Sequence, residues 1–142
     1  MAQGGMDKMH PPTTHGVFKP VGHALLAFRT AEALQAALQA LDAAGFSLPG
    51  MLLHYSAEEM RHLAAAELAR AGPLANFGYE LDLLHHHLRL AEAGCVFLLV
   101  YAPREDRVDA LASALPALQP VSAQHYGRFL IRDLTERPPG TA

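Results

Sequence analysis

The sequence predicts an α+β domain built on an antiparallel sheet, and three observations carry that reading. The run Cys95-Val96-Phe97-Leu98-Leu99-Val100-Tyr101 holds no charged or turn-forming residue, lies between Gly94 and Pro103, and is too short for a self-standing helix. The segment from Gly22 to Arg29 is likewise apolar at both alternating sets of positions. Strands of this kind must be covered on both faces, so both are expected at the centre of the sheet. The third observation is parity. Two helices in succession separate the second strand from the third, reverse the chain twice, and return the third strand antiparallel to the second, as a hairpin would. The order β-α-β, helix, helix, β-α-β therefore matches a ferredoxin-like sheet with an αα-hairpin in place of its central β-hairpin, strands one and three central and strands two and four at the edges.

The elements follow in order. Residues 1–20 contain Gly4-Gly5, Pro11-Pro12 and Pro20 without a sustained period, and are expected to be a disordered tail. The single α+β domain is expected over 21–135, with a second disordered tail at 136–142. After the first strand, Thr30 is placed to cap a helix whose apolar stripe is Ala31, Leu34, Leu38 and Leu41, and Gly45 is expected to stop it. Met51 to Tyr55 reads as a short edge strand. Ser56-Ala57-Glu58-Glu59 has the form of a capping box, opening a helix with Met60, Leu63, Ala64, Leu68 and Ala71 on one side, which Gly72-Pro73 ends.

A third helix is expected from about Leu74 to Ala93. Phe77, Leu81, Leu84, Leu88 and Ala91 form its main stripe, and Tyr79, Leu83 and Leu90 form a second stripe on the far side. Gly78 costs such a helix about 1 kcal/mol relative to alanine. Beyond the Cys95 strand, Pro103-Arg104-Glu105-Asp106 opens a short helix with Val108, Leu111, Ala112 and Leu115 inward, broken by Pro116 to Pro120. Val121 to Leu134 has strand character, with a bulge or sharp bend expected at Gly127.

This order of elements, from Gly22 to Leu134, resembles that of the small bacterial general-stress, or heat-induced stress, α/β proteins. The insert of those proteins is typically hydrophobic or glycine-rich and accompanied by an acidic stretch, whereas Ser56 to Ala93 has neither character. The resemblance implies a fold and a stress-associated role, and carries over no catalytic residue.

Composition bounds the function. The chain has 142 residues, 51% hydrophobic and 18% charged, which suits one globular domain. A net charge of -3 with no basic block argues against a phosphate-reading surface for nucleic acid. The single cysteine, Cys95, has no partner for an intramolecular disulfide. No apolar run approaches the roughly 20 residues that span a bilayer, and nothing at the start reads as a signal peptide, so a cytoplasmic protein without a membrane segment is expected.

Nine histidines are the compositional oddity, with His85-His86-His87 consecutive in the third helix. Consecutive residues point about 100° apart on a helix, so the three cannot converge on one ion. The usable metal ligands are Asp82 with His86, four apart, and His62 with Glu58 or Glu59, which makes His62, Asp82 and His86 the candidate metal residues. The competing reading is that these are solvated polar faces with weak helix pairs. His10, His15 and His23, in or near the first tail, would lose ordering entropy to join such a site. Glu80 and His87, two turns apart, suggest a partly buried polar rim. Cys95 begins a buried strand, where a thiol is inert, and neither a nucleophile elbow nor a Gly-rich phosphate loop is present, so no cofactor is assigned. Arg29-Thr30 and Arg104 precede helix N-termini, but an antiparallel sheet puts them at opposite ends.

The leading expectation is a non-enzymatic stress-associated or regulatory protein acting through a protein partner or a small ligand. The alternatives are a transition-metal-binding module and a small ferredoxin-like enzyme with a cavity between sheet and insert, using His54 or Tyr101 as acid or base. A homodimer is expected through Tyr79, Leu83 and Leu90; against it stands a third helix packed on two sides within one monomer.

Overall fold

The computed structural model describes residues 20–71, 79–128 and 130–135, together with the backbone of two short strands near the start, β1 (Thr13–Thr14) and β2 (Val17–Phe18). The elements that follow are β3 (His23–Phe28), α1 (Ala31–Ala43), β4 (Leu52–Tyr55), α2 (Ala57–Ala71), α3 (Tyr79–Glu92), β5 (Val96–Tyr101), α4 (Glu105–Leu118), β6 (Ser122–Tyr126) and β7 (Ile131–Asp133).

Local chemistry sets the helix starts. Thr30 Oγ1 accepts the Ala33 N–H at 3.1 Å, capping α1. Glu59 N–H donates to Ser56 Oγ at 3.0 Å while Ser56 N–H donates to Glu59 Oε1 at 2.9 Å, a reciprocal capping box before α2. Each such cap stabilises by about 1 kcal/mol. Gly45, at φ +101°, takes the left-handed position that ends α1.

The two strands that are apolar on both faces pair with each other: β3 runs antiparallel to β5, Leu25 opposite Leu99 and Leu26 opposite Leu98. They are two of the three inner strands of a five-stranded antiparallel sheet in the order β4-β5-β3-β6-β7. Side chains alternate to two cores. Ala24, Leu26, Phe28, Leu98 and Val100 pack under Leu34, Ala37 and Leu41 of α1 and Val108, Leu111 and Leu115 of α4. Leu25, Ala27, Phe97 and Leu99 pack under Met60 of α2 and Leu83, Leu84 and Ala91 of α3. Burying each large apolar side chain contributes roughly 1.5–3 kcal/mol, and neither helix layer can be removed without exposing one such row. Among the described residues no helix is long and apolar enough to cross a membrane.

Several expectations are corrected. The last strand is two: the chain turns back after Tyr126, so β7 is the edge and β6 is interior. Gly127 closes that hairpin, its N–H donating to Leu130 O at 2.8 Å, and a Cβ there would also meet Leu130 O at 2.8 Å, too close for any other residue. Pro116 does not break α4, which continues to Leu118 and ends on Gln119 in the left-handed conformation. Most of the stretch expected as a tail lies outside the described residues; within it β1 and β2 pair antiparallel, and β2 lies beside α2. The expected helix start at 74–78 and the second tail at 136–142 lie outside the described residues.

One residue of the stripe assigned to a dimer interface is also corrected. Leu83 is 6% exposed inside the core beneath α2 and α3, and Leu90 is half-buried against the same cluster. α3 is packed on two sides within one monomer, against the sheet and against α2. The Tyr79 side chain lies outside the described residues. Leu83→Ala is therefore expected to cost about 2–5 kcal/mol in urea unfolding, the usual range for a buried leucine. A loss well under 1 kcal/mol would return Leu83 to an outer surface.

Candidate functional site

Two polar arrangements stand out against this apolar frame: a buried seam between α3 and β6, and an open cleft where the α1–β4 connection meets the β5–α4 connection.

The seam grows from the alternation of β6. Ser122, Gln124 and Tyr126 stand on the α2–α3 face, opposite Ala27, Leu25 and His23 of β3, and all three are buried. Two neighbouring histidines of α3 straddle them. His87 Nε2 lies 3.0 Å from the Tyr126 hydroxyl, with the imidazole edge-on to Phe97. His86 Nε2 lies 3.1 Å from Ser122 Oγ, which also accepts the Gln124 amide N–H at 2.8 Å. With one Ser122 lone pair taken by Gln124, the hydroxyl proton is free to be donated to a neutral His86. Burial keeps both imidazoles neutral. It pushes His87 down to about 3, helped by the neighbouring His86, and lowers His86 with help from Arg89, against the opposing charge of Asp133. His87 Nδ1 and Gln124 Oε1 are buried without a hydrogen-bond partner among the described residues.

A serine beside an imidazole under the influence of a carboxylate invites a catalytic reading, which the geometry resists. Ser122 is buried, its oxygen is already engaged by Gln124, and Asp133 Oδ1 accepts from the Thr135 N–H and hydroxyl at 2.9 and 2.6 Å. The seam fixes the register of α3 on the sheet, each hydrogen bond contributing about 0.5–1.5 kcal/mol.

The cleft has a volume of about 430 Å³ and is lined by Gly45, Leu48, Pro49, Met51, Tyr101, Pro103, Arg104 and Arg107. Its floor and rim are mostly apolar, and Leu48 on the rim is 69% exposed. Its two cations differ. Arg104 is engaged, its Nε donating to Asp106 Oδ1 at 3.2 Å, which holds the Asp106 carboxyl below the usual range. Arg107 has no carboxylate within ion-pair distance among the described residues; its guanidinium lies 4.1 Å above the Phe46 ring, and its Nη2 is buried without a hydrogen-bond partner. Gly45 makes room for it, since a Cβ at Gly45 would lie 3.2 Å from Arg107 Nη2.

The residues singled out as metal ligands are dispersed. His62 is exposed on α2, 3.4 Å from Glu58 Oε2; Asp82 is exposed on α3; His86 is turned to Ser122. Among the described residues no group of three or more His, Cys, Asp or Glu is placed to hold a metal ion. Of the two candidate acid–base residues, Tyr101 lines the cleft with its ring 5.0 Å from that of His23 and tilted by 50°, whereas His54 lies on β4 opposite Leu98, its buried Nε2 without a hydrogen-bond partner among the described residues. Arg29 and Arg104 sit at opposite ends of the antiparallel β3–β5 pair, as expected. Sequence reasoning missed Arg107, Phe46 and Leu48, and the buried Glu67, whose Oε2 accepts from Arg70 at 2.8 Å. One signal was present: a cation in the first turn of a helix opposes the helix dipole, so Arg107 sits where an acidic residue is the easier choice.

No protein-family model, curated protein or solved structure matches the chain.

His87 has a measurable consequence. The unfolded chain takes up a proton near pH 6.5, whereas folded His87 stays neutral down to about 3. The unfolded state then binds more protons, so stability is complete above about pH 6.5 and falls by up to about 1.4 kcal/mol per pH unit below it. His86 and His23, both lowered by burial, act in the same direction. Urea unfolding at pH 7.5, 6.5 and 5.5 is expected to show this decline, and His87→Gln to flatten it. A wild-type profile level across that range would contradict a buried neutral His87.

Proposed function

We propose that this protein is a non-enzymatic regulatory domain that acts by binding a small molecule in the cleft between the α1–β4 and β5–α4 connections. The reading takes the fold as a ferredoxin-like sheet whose central hairpin is replaced by α2 and α3. It is supported by one observation above the others: an open cleft of about 430 Å³ with a mostly apolar lining and an exposed leucine at its rim. Ligand sites of compact molecules start near that size, apolar in the main with a few polar groups to fix orientation. Both sheet faces carry helices, so the strand ends are where the fold leaves room for a ligand. The resemblance in element order to small bacterial stress proteins implies a regulatory role of the same kind.

Fragment screening by NMR on the full labelled chain tests this. Hits of about 10–20 heavy atoms are expected to shift the amides of Gly45, Met51 and Arg107 together and saturably, and to be recovered chemically unchanged. Shifts scattered over the surface would overturn the cleft as the site, and recovery of a converted ligand would overturn a non-enzymatic role.

A further inference from the structure

Resting on that reading, we infer that the cleft selects a monocarboxylate with a compact, flat apolar body, held through its carboxylate by Arg107. The inference begins with charge counting at the mouth. Asp106 is bound to Arg104, and Glu105 Oε1 accepts from Arg132 at 3.3 Å, so the acidic residues that open α4 already have cations. Arg107 is left over. Among the described residues its favourable contact is the Phe46 face at 4.1 Å, which attracts a cation but accepts no in-plane N–H. The buried Nη2 therefore lacks an acceptor that water would have given it in the unfolded chain, a cost that a bound oxyanion removes.

One cation uncompensated among the described residues fixes the charge of the ligand. A guanidinium and a carboxylate match in a two-point fork, and the balance is met by a single negative charge. A phosphate monoester would bring nearly two charges to a mouth where, among the described residues, Arg107 is the cation without a carboxylate partner. The apolar wall fixes the rest: Leu48, Pro49, Met51, Tyr101 and Pro103 offer rings, a thioether and methyl groups but, Tyr101 hydroxyl aside, no side-chain hydrogen bonding. Gly45 admits the guanidinium. Without a Cβ at Gly45 the guanidinium lies close against the backbone there, and a ligand carboxylate reaches Nη2 when the side chain turns toward the cleft that Arg107 lines.

The test uses two probes of nearly identical shape, 2-naphthoate and its uncharged analogue 2-naphthamide, titrated at pH 7 into the full chain and followed at the Met51 methyl and the Arg107 Nε–H by NMR. Naphthoate is expected to bind at least tenfold more tightly than naphthamide. Arg107→Leu is expected to bring naphthoate down to the amide's affinity while leaving the amide within twofold, and Arg107→Lys to fall between. Because Arg107→Leu also removes the contact with Phe46, wild-type salt dependence gives a second readout that needs no variant: naphthoate affinity falls as sodium chloride rises and naphthamide affinity does not. Equal wild-type affinity for the two probes, with no salt dependence, would overturn the carboxylate assignment and leave an apolar ligand site standing. Shifts from neither probe at Met51 and Arg107 would overturn the ligand site as well.

Discussion

Two adjacent strands that are apolar on both faces impose the condition on which the rest of this structure depends. β3 and β5 present Leu26, Leu98 and Val100 to one side and Leu25, Phe97 and Leu99 to the other, all essentially inaccessible to water. A single helix layer would leave half of these side chains wet, at a cost of roughly 1.5–3 kcal/mol for each large one. α1 and α4 cover the first side, and α2 with α3, which lie between β4 and β5 in the chain, cover the second. α2 and α3 are thus part of the core, with Met60, Ala64, Leu83, Leu84 and Ala91 buried in the monomer. This accounts for the burial of Leu83, which on helical spacing alone reads equally well as an outward stripe.

Once both faces are closed, polar chemistry is confined to places where the sheet ends or where hydrogen bonds can be completed inside. The α3–β6 seam is the internal case. Desolvation is the largest influence on both imidazoles and lowers both, with only Asp133 opposing it at His86, so the seam favours neutral groups. The cleft is the external case, and the Arg107 guanidinium there lies 4.1 Å above the Phe46 ring with no carboxylate in ion-pair distance among the described residues. The contrast assigns the roles: the seam holds α3 in place, and the cleft keeps an attraction unused.

How much of this was legible in the sequence depends on the range of the physics. The Thr30 cap and the Ser56–Glu59 box are contacts three residues long and could be read directly. The central position of the two strands followed from burial on both faces, and the antiparallel return of β5 from helix parity. The splitting of the last strand was half visible in Gly127, whose role became clear only from the approach of Leu130. His87 read as a rim residue because histidine interrupts an apolar stripe; its partner Tyr126 is 39 positions away, and the pairing needs the fold. The cleft was the least legible feature, since Phe46 and Arg107 come from opposite halves of the chain and meet only after α1 and α4 have docked on the same face.

The central claim is that α2 and α3 are integral to the core, so that the inner strands open only when the whole domain unfolds. Native-state hydrogen exchange measures this residue by residue. The account predicts that the amides of Leu25, Leu26, Leu98 and Leu99 and those of α3 from Leu84 to Ala91 share one opening free energy, equal to that of global unfolding in urea. Exchange throughout α2 and α3 by a markedly cheaper opening, with β3 and β5 still protected, would contradict it by showing the second helix layer to be a detachable cover.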